Sequence, residues 1–302
     1  MKPPAFTYHA PESLDEALGV LAEVGEDGKV LAGGQSLVPI LNMRLAAPAH
    51  LVDINRVAGL STVDTNDTSV TVGATARHTD VELDDAAYGV QPLLRQALRL
   101  VAHPVIRNRG TTVGSLAHAD PAGEMTAVLA LTRGSVRITS GSGSRNVDAT
   151  DFFVGPLECC LRAGEMVESA TFPAFPAGTG SAFIEVARRH GDYALCGVAA
   201  AVTVLDGAVS AARAAYISVG PTPLLVDLTD AVAGGAVSGG AVSGADWAAA
   251  GRLAQSQVSP EADIHSTASY RRHLVGVLTA RALAEAAAAA APTHSLPLRR
   301  SG

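Results

Sequence analysis

The sequence predicts an α+β chain of more than one compact unit, and three observations carry that prediction. The first stretch, to about Val57, alternates short apolar strands with amphipathic helices. A Pro/Gly stretch from Pro173 to Gly180 then separates two regions of different pattern. Beyond it, long apolar strands meet at Asp206-Gly207, a hairpin signal, and lead into helices. The chain has 302 residues, 48% of them hydrophobic, enough for two or three cores of ordinary size.

The elements follow in order. Residues Ser13–Val24 read as a helix, with Ser13 able to cap it and Leu14, Leu18 and Leu21 on one face. Val30–Ala32 is a short buried strand that runs into Gly33-Gly34-Gln35-Ser36. A helix from Leu37 to about Arg44 tolerates Pro39 in its first turn. Leu51–Ile54 is the next strand, which closes a β-α-β-α-β unit over residues 1–57. A second unit, 58–175, holds a strand at Val70–Val72, a helix at Leu93–Val101 and a long polar loop from His103 to Ser115. It continues with a buried helix at Met125–Leu131 and strands at Val136–Ile138, Asn146–Val147 and Val167–Phe172. The third unit, 181–291, reads as a three-stranded antiparallel sheet (Ser181–Ala187, Ala199–Leu205, Val209–Val219) with helices at Trp247–Gln255 and Tyr270–Ala291. Its duplicated Gly-Ala-Val-Ser-Gly, Gly235–Gly244, reads as a flexible surface loop, and 292–302 as a disordered tail.

Composition excludes several classes. The net charge is −7, and no Lys/Arg block precedes Arg299-Arg300, so a nucleic-acid partner is not expected. The three cysteines, two of them adjacent, make neither a disulfide framework nor a full set of cluster ligands. They read as buried small hydrophobes in a reducing compartment. The N-terminus has no apolar signal core, and the run near Ala194–Leu205 is too short for a membrane span, so a cytoplasmic protein is expected. His118 and Asp120 lack a third ligand, and no metal site is expected. Nor is there a GxGxxG after the first strand, a GxxxxGK[ST], an HExxH or a GxSxG.

Two glycine loops carry the chemistry. In Leu31-Ala32-Gly33-Gly34-Gln35-Ser36-Leu37, adjacent glycines allow close approach of a ligand, and successive N–H groups can cradle a phosphate without a lysine. By itself the loop reads first as a tight turn with Ser36 as helix cap. The second loop, Arg107 to Leu116, offers glycine amides, hydroxyls and two arginines. Arg107 and Arg109 either balance a diphosphate or hold the loop together. Two such loops on separate elements suit a dinucleotide-like cofactor clamped from both sides.

These motifs, in this order, resemble the FAD-binding medium subunit of the xanthine dehydrogenase/carbon monoxide dehydrogenase (molybdenum hydroxylase) family. The resemblance rests on Ala32-Gly33-Gly34-Gln35-Ser36-Leu37, Arg107-Asn108-Arg109-Gly110-Thr111, Gly114-Ser115-Leu116-Ala117-His118-Ala119-Asp120-Pro121 and Gly191-Asp192-Tyr193-Ala194, with Pro-x-x-Phe-x-Tyr at Pro3–Tyr8. It covers nearly the whole chain, to about Ala287. It implies a vanillyl-alcohol-oxidase-like (PCMH-type) FAD domain of two subdomains, plus a C-terminal domain with a three-stranded sheet. It further implies that Lys29, Val30, Leu31, Ala32, Gly33, Gly34, Gln35 and Ser36 wrap the FAD pyrophosphate from one side. Thr111, Thr112, Val113, Gly114 and Ser115 close from the other. Glu124 falls near the sugar or adenine end, while Leu161 and Tyr193 fall against the isoalloxazine. Val113 stands where the family usually has glycine, and Glu124 where it often has Asp.

Taken from the residues alone, Leu161 is a core side chain and Tyr193 a strand residue; Arg188-Arg189 reads as a solvated pair. The function implied is electron relay. A molybdenum-cofactor large subunit and a [2Fe-2S] small subunit would be partners, and an external acceptor would take the electrons. A stand-alone FAD oxidase or reductase and a cofactor-free assembly subunit are the competing readings. No acid–base constellation of its own is evident.

Overall fold

The computed structural model describes residues 2–232, 236–238, 241–243 and 245–290. The expected tail at 292–302 lies outside the described residues. The chain opens with β1 (Thr7–His9), α1 (Leu14–Val24), β2 (Gly28–Leu31), α2 (Leu37–Asn42) and β3 (His50–Asp53). The three strands form a parallel sheet in the order β1-β3-β2. Helix α1 begins in a full capping box: Ser13 accepts the Glu16 N–H, and Glu16 reaches back to the Ser13 N–H.

The second unit contains β4 (Val63–Asn66), β5 (Ser69–Gly73), α3 (His78–Leu83), α4 (Asp85–Val90), α5 (Pro92–Leu98), α6 (Pro104–Arg107), α7 (Thr112–His118) and α8 (Glu124–Thr132). It continues with β6 (Ser135–Ser140), β7 (Gly143–Asp148), α9 (Ala149–Phe152), β8 (Phe153–Gly155), β9 (Glu158–Cys159) and β10 (Met166–Pro173). Its five-stranded antiparallel sheet has the order β4-β5-β10-β6-β7. Met125 to Leu131 of α8 are all buried, so an amphipathic pattern is absent and the helix is central. The polar stretch expected as one loop from His103 to Ser115 instead holds α6 and α7. Pro104 starts α6 and Thr111 caps α7, two local signals that the polar composition masks.

The third unit contains β11 (Thr179–Ala187), β12 (Ala194–Leu205), β13 (Ala208–Ile217), β14 (Leu224–Asp227), α10 (Thr229–Val232), β15 (Ala236–Ser238), β16 (Ala241–Ser243), α11 (Trp247–Gln257) and α12 (Ala268–Ala290). The expected antiparallel trio β11-β12-β13 forms its centre, and β14, β15 and β16 extend it. Within the stretch expected as a flexible loop, the described residues Ala236–Ser238 and Ala241–Ser243 are paired strands. Each Ala-Val-Ser is a minimal strand with a β-branched centre, and Val237 pairs with Val242.

Strand β12 is buried on both faces, which is why its sequence is continuously apolar. Ala199 and Ala201 point toward the second unit, while Cys196, Val198, Ala200 and Val202 point toward α12. Helix α12 is long and apolar enough to cross a membrane by length and composition. Here it lies on the sheet, with Leu274, Val275, Leu278, Ala282 and Leu283 buried. Small residues set its distance: a Cβ at Gly180 would sit 2.3 Å from the Ala290 nitrogen. The second and third units are joined by Ser218 N–H to Pro121 O at 2.8 Å and by Gln96, which bonds Ser181.

Arg107 is held inside the second unit. Its Nε donates to Glu82 at 2.7 Å and its Nη1 to Val101 O at 3.0 Å. The two side chains are only 11% and 14% exposed. Arg107→Ala leaves a carboxylate without its cation in a poorly solvated place and should cost about 3 kcal/mol of stability. Urea denaturation checks this; a loss well under about 1 kcal/mol would mean that the pair behaves as a surface ion pair.

Candidate cofactor site

The parallel sheet positions the first loop. Strands β2 and β3 run side by side, so Leu31–Gln35 and Asp53–Asn55 emerge at the same, C-terminal edge, the usual place for ligands in parallel sheets. Gly33 is buried against the second loop. A Cβ there would lie 2.5 Å from Arg109 O, 2.8 Å from Gly110 Cα and 3.0 Å from Thr111 N. Only glycine lets these two stretches of backbone meet. Gly34 has φ +72°, the left-handed region. Among the described residues, no acceptor meets the N–H groups of Gly33, Gly34, Gln35 or Ser36. The first three border a cavity of about 350 Å³ lined by Leu31–Gln35, Val38, Pro39, Asp53, Asn55 and Arg109. Ser36 does not cap α2: its backbone is already helical and its hydroxyl makes no cap bond. Gln35 instead tightens the turn by donating to Gly33 O at 3.2 Å.

On the second loop, the Thr111 hydroxyl accepts from Gly114 N–H at 3.1 Å, and a Cβ on Gly114 would run into that hydroxyl. Thr112 and Val113 are buried, at 0% and 2% exposure, so their side chains face the core. The Val113 substitution thus adds no side chain to the cleft. Arg107 is the loop-holding arginine described above, whereas Arg109 lines the cavity.

Three residues that the sequence did not single out complete this region: Asp53, Asn55 and Arg77. Arg77 donates to Arg109 O at 2.7 Å and to Asn55 Oδ1 at 2.6 Å. Burial, then the like charge of Arg109, lowers the Arg77 pKa, so an anion between them would be favoured. Burial opposes ionisation of Asp53, yet the Tyr8 hydroxyl at 2.5 Å and the Asn55 N–H outweigh it and hold its pKa low. The position of Asp53 and Asn55 at a parallel strand's C-terminal end was the available signal. Arg77 had none, because its partners are distant in sequence.

The remaining expected residues lie away from this cavity. Lys29 is exposed on β2; burial first, opposed by Asp120 and then aided by the Lys29 charge, lowers the His118 pKa. Val30 and Leu161 pack against the core. Ser115 is partly buried on α7. His118 and Asp120 sit 3.9 Å apart, and no group of three metal-ligating side chains occurs among the described residues. The Cys159 thiol bonds Ala117 O at 3.5 Å, which draws β9 and the following Leu161 toward α7. Tyr193 precedes β12 and is 69% exposed, so its ring is open to a ligand. Arg189 pairs with Asp192 at 3.0 Å in solvent.

Glu124 begins α8, where the helix dipole favours its charge, but burial and then Asp120 push its pKa up to about 7. Glu185 lies on β11, facing the second unit in register with Gly197. Its Oε2 is buried with no hydrogen-bond partner among the described residues, and burial, then Glu124, pushes its pKa up to about 8.

A glycine cradle with unpaired amides on the first loop, closed by the backbone of the second, fits a flavoprotein of the two-subdomain FAD-binding class, with a sheet-plus-helix domain beside it. Residues 4–175 match the FAD binding domain in molybdopterin dehydrogenase, and residues 181–286 match the CO dehydrogenase flavoprotein C-terminal domain. The 6-hydroxypseudooxynicotine dehydrogenase complex subunit alpha of Paenarthrobacter nicotinovorans is 38% identical over 97% of this chain and 98% of its own. A chain of the carbon monoxide dehydrogenase of Hydrogenophaga pseudoflava superposes with TM-score 0.89 at 35% identity, over 96% of this chain and all of that one. A chain of quinoline 2-oxidoreductase from Pseudomonas putida 86 gives TM-score 0.89 at 37% identity, covering 96% and 99%. The chain belongs to the FAD-binding medium subunits of the molybdenum hydroxylase family. It is an oxidoreductase subunit, and its cofactor is FAD.

The raised carboxyl groups make a pH prediction. The folded state retains protons on Glu124 and Glu185 that the unfolded chain, with carboxyl pKa near 4.5, has lost. Stability should therefore fall as pH rises from about 7 to about 8.5, a window above ordinary histidine titration and below the buried thiol of Cys196. Thermal midpoints across that window check it. Glu185→Gln should flatten the slope, and a wild-type midpoint that rises with pH would contradict it.

Proposed function

We propose that this chain is the electron-transfer subunit of a multi-subunit molybdenum hydroxylase. Electrons from the [2Fe-2S] clusters of a small partner subunit pass to the FAD held here and leave to an external acceptor. Substrate is oxidised in a large subunit carrying the molybdenum cofactor. The single observation that carries the reading is the meeting of Gly33 with Arg109, Gly110 and Thr111 beside unpaired amides. A diphosphate needs such a cradle, and two nearby guanidiniums offset its charge. The printed names of the relatives, a complex subunit and dehydrogenase medium chains, support the assembly.

In this reading, residues 1–57 and 58–175 are the two FAD subdomains and 181–291 is the C-terminal domain. Lys29 to Leu31 form the strand that carries the cradle, and Ala32 to Ser36 hold the pyrophosphate from one side, by amides and not by side chains. Thr111 to Ser115 set the opposite wall, where Thr111 shapes the α7 N-terminus and Gly114 makes room for it. Glu124 lies toward the sugar end, and Leu161 and exposed Tyr193 flank the ring. When bound, FAD supplies a ring that accepts one or two electrons; the protein positions it and shields it from water. The three free cysteines suit a cytoplasmic protein.

Purification of the natively tagged chain tests the assembly. Flavin, iron, sulfide and molybdenum should co-purify in one complex. A chain that is active alone on a small alcohol would instead support a stand-alone oxidase. Gly33→Val should weaken FAD retention by at least about tenfold (~1.4 kcal/mol) by forcing the loops apart. Flavin absorbance per chain reads the effect, and unchanged flavin content would refute the two-sided clamp.

A further inference from the structure

The two cradle loops meet through backbone at Gly33, and one side-chain path also joins them. Arg77 stands immediately before α3, where its N–H is fixed by Asp80 at 2.9 Å and its backbone bridges to Thr111. Nη1 donates to Arg109 O at 2.7 Å, on the second loop. Nη2 donates to Asn55 Oδ1 at 2.6 Å, and Asn55 Nδ2 donates onward to Ala32 O at 2.7 Å, on the first loop. The second amide hydrogen of Asn55 goes to Asp53 Oδ1 at 2.5 Å, and Asp53 is itself held by the Tyr8 hydroxyl. Donors on both sides of the Asn55 amide are therefore committed, and its orientation is fixed.

The geometry suits arginine in particular. A planar guanidinium reaches two acceptors in a fixed fork; a lysine ammonium at the same position is a single point of contact. The guanidinium is retained here although burial and the charge of Arg109 both disfavour it. We propose that Arg77, acting through Asn55, is a positioning residue that holds the two loops at the separation a diphosphate requires before the cofactor arrives. This rests on the FAD reading above. An ordered, pre-formed cradle saves the ordering cost at binding, so the effect falls on affinity, and mainly on cofactor release.

The test uses the full-length protein with its partners, stripped of FAD and retitrated with FAD while flavin fluorescence is followed. Arg77→Gln and Arg77→Lys should each raise the FAD Kd at least about tenfold. Asn55→Ala should do the same, and adding it to Arg77→Gln should change little more, since both cut one path. In the FAD-free protein, amide hydrogen exchange should quicken at residues 32–36 and 109–112 in these variants, with α12 unchanged. Wild-type affinity in Arg77→Lys would show that charge alone suffices and overturn the proposal. Fully additive losses, or exchange that quickens everywhere, would overturn it too. Wild-type protein that takes up no FAD would sink the FAD reading itself, a result distinct from a failed latch.

Discussion

Gly33 lies on the backbone of Arg109, Gly110 and Thr111 with no side chain between them. That contact fixes where the first unit sits on the second. It turns two separate loops into one concave surface, and it leaves a row of N–H groups facing a cavity instead of a partner. In the FAD reading, this row of amides without a protein acceptor is where the diphosphate lies. Everything else near the site serves that contact. The Arg107–Glu82 pair anchors the start of the second loop, Thr111 shapes α7, and Arg77 ties one loop to the other.

The electrostatics follow the same division. The chain is acidic overall, and its cradle contains no lysine ammonium aimed into the cavity. In the FAD reading, anion affinity comes from oriented amide dipoles, from Arg109 at the cavity and from nearby Arg77. On the other side of α7 and α8 the balance reverses. Glu124 and Glu185 are close enough for the charge of Glu124 to raise the Glu185 pKa, and burial, the larger cause for both, pushes the two up to about 7 and about 8. One molecule thus keeps a region that favours negative charge apart from one that resists it.

The third unit solves a different problem, the building of a core with few aromatic residues. Its solution is close approach. Alanines along β12 and a glycine on β11 let α12 lie directly on the sheet, and α11 crosses α12 where Gly251 meets Gly276 backbone. Dispersion between closely packed small groups replaces the contact area that large rings would supply. Tyr216 is a fully buried ring in this core, and its hydroxyl is satisfied by Thr279 at 2.8 Å.

The sequence by itself determined whatever depends on neighbouring residues. Ser13 announces a helix start, Asp206-Gly207 a hairpin, and the apolar run Ala199–Leu205 a strand. The glycines at 33 and 34 announce a backbone that must do what other residues cannot. The same local logic failed where composition hid a cap, as at Pro104 and Thr111, and where a short repeat of small residues found a sheet edge to pair with. Tertiary structure alone decided which expected residues share a cavity. It turned Thr112 and Val113 into the core, separated Arg107 from Arg109, and recruited Asp53, Asn55 and Arg77. The reason is physical. Period and propensity act over a few residues, whereas a guanidinium that bridges two loops owes its position to the packing of three separate elements, which no local pattern encodes.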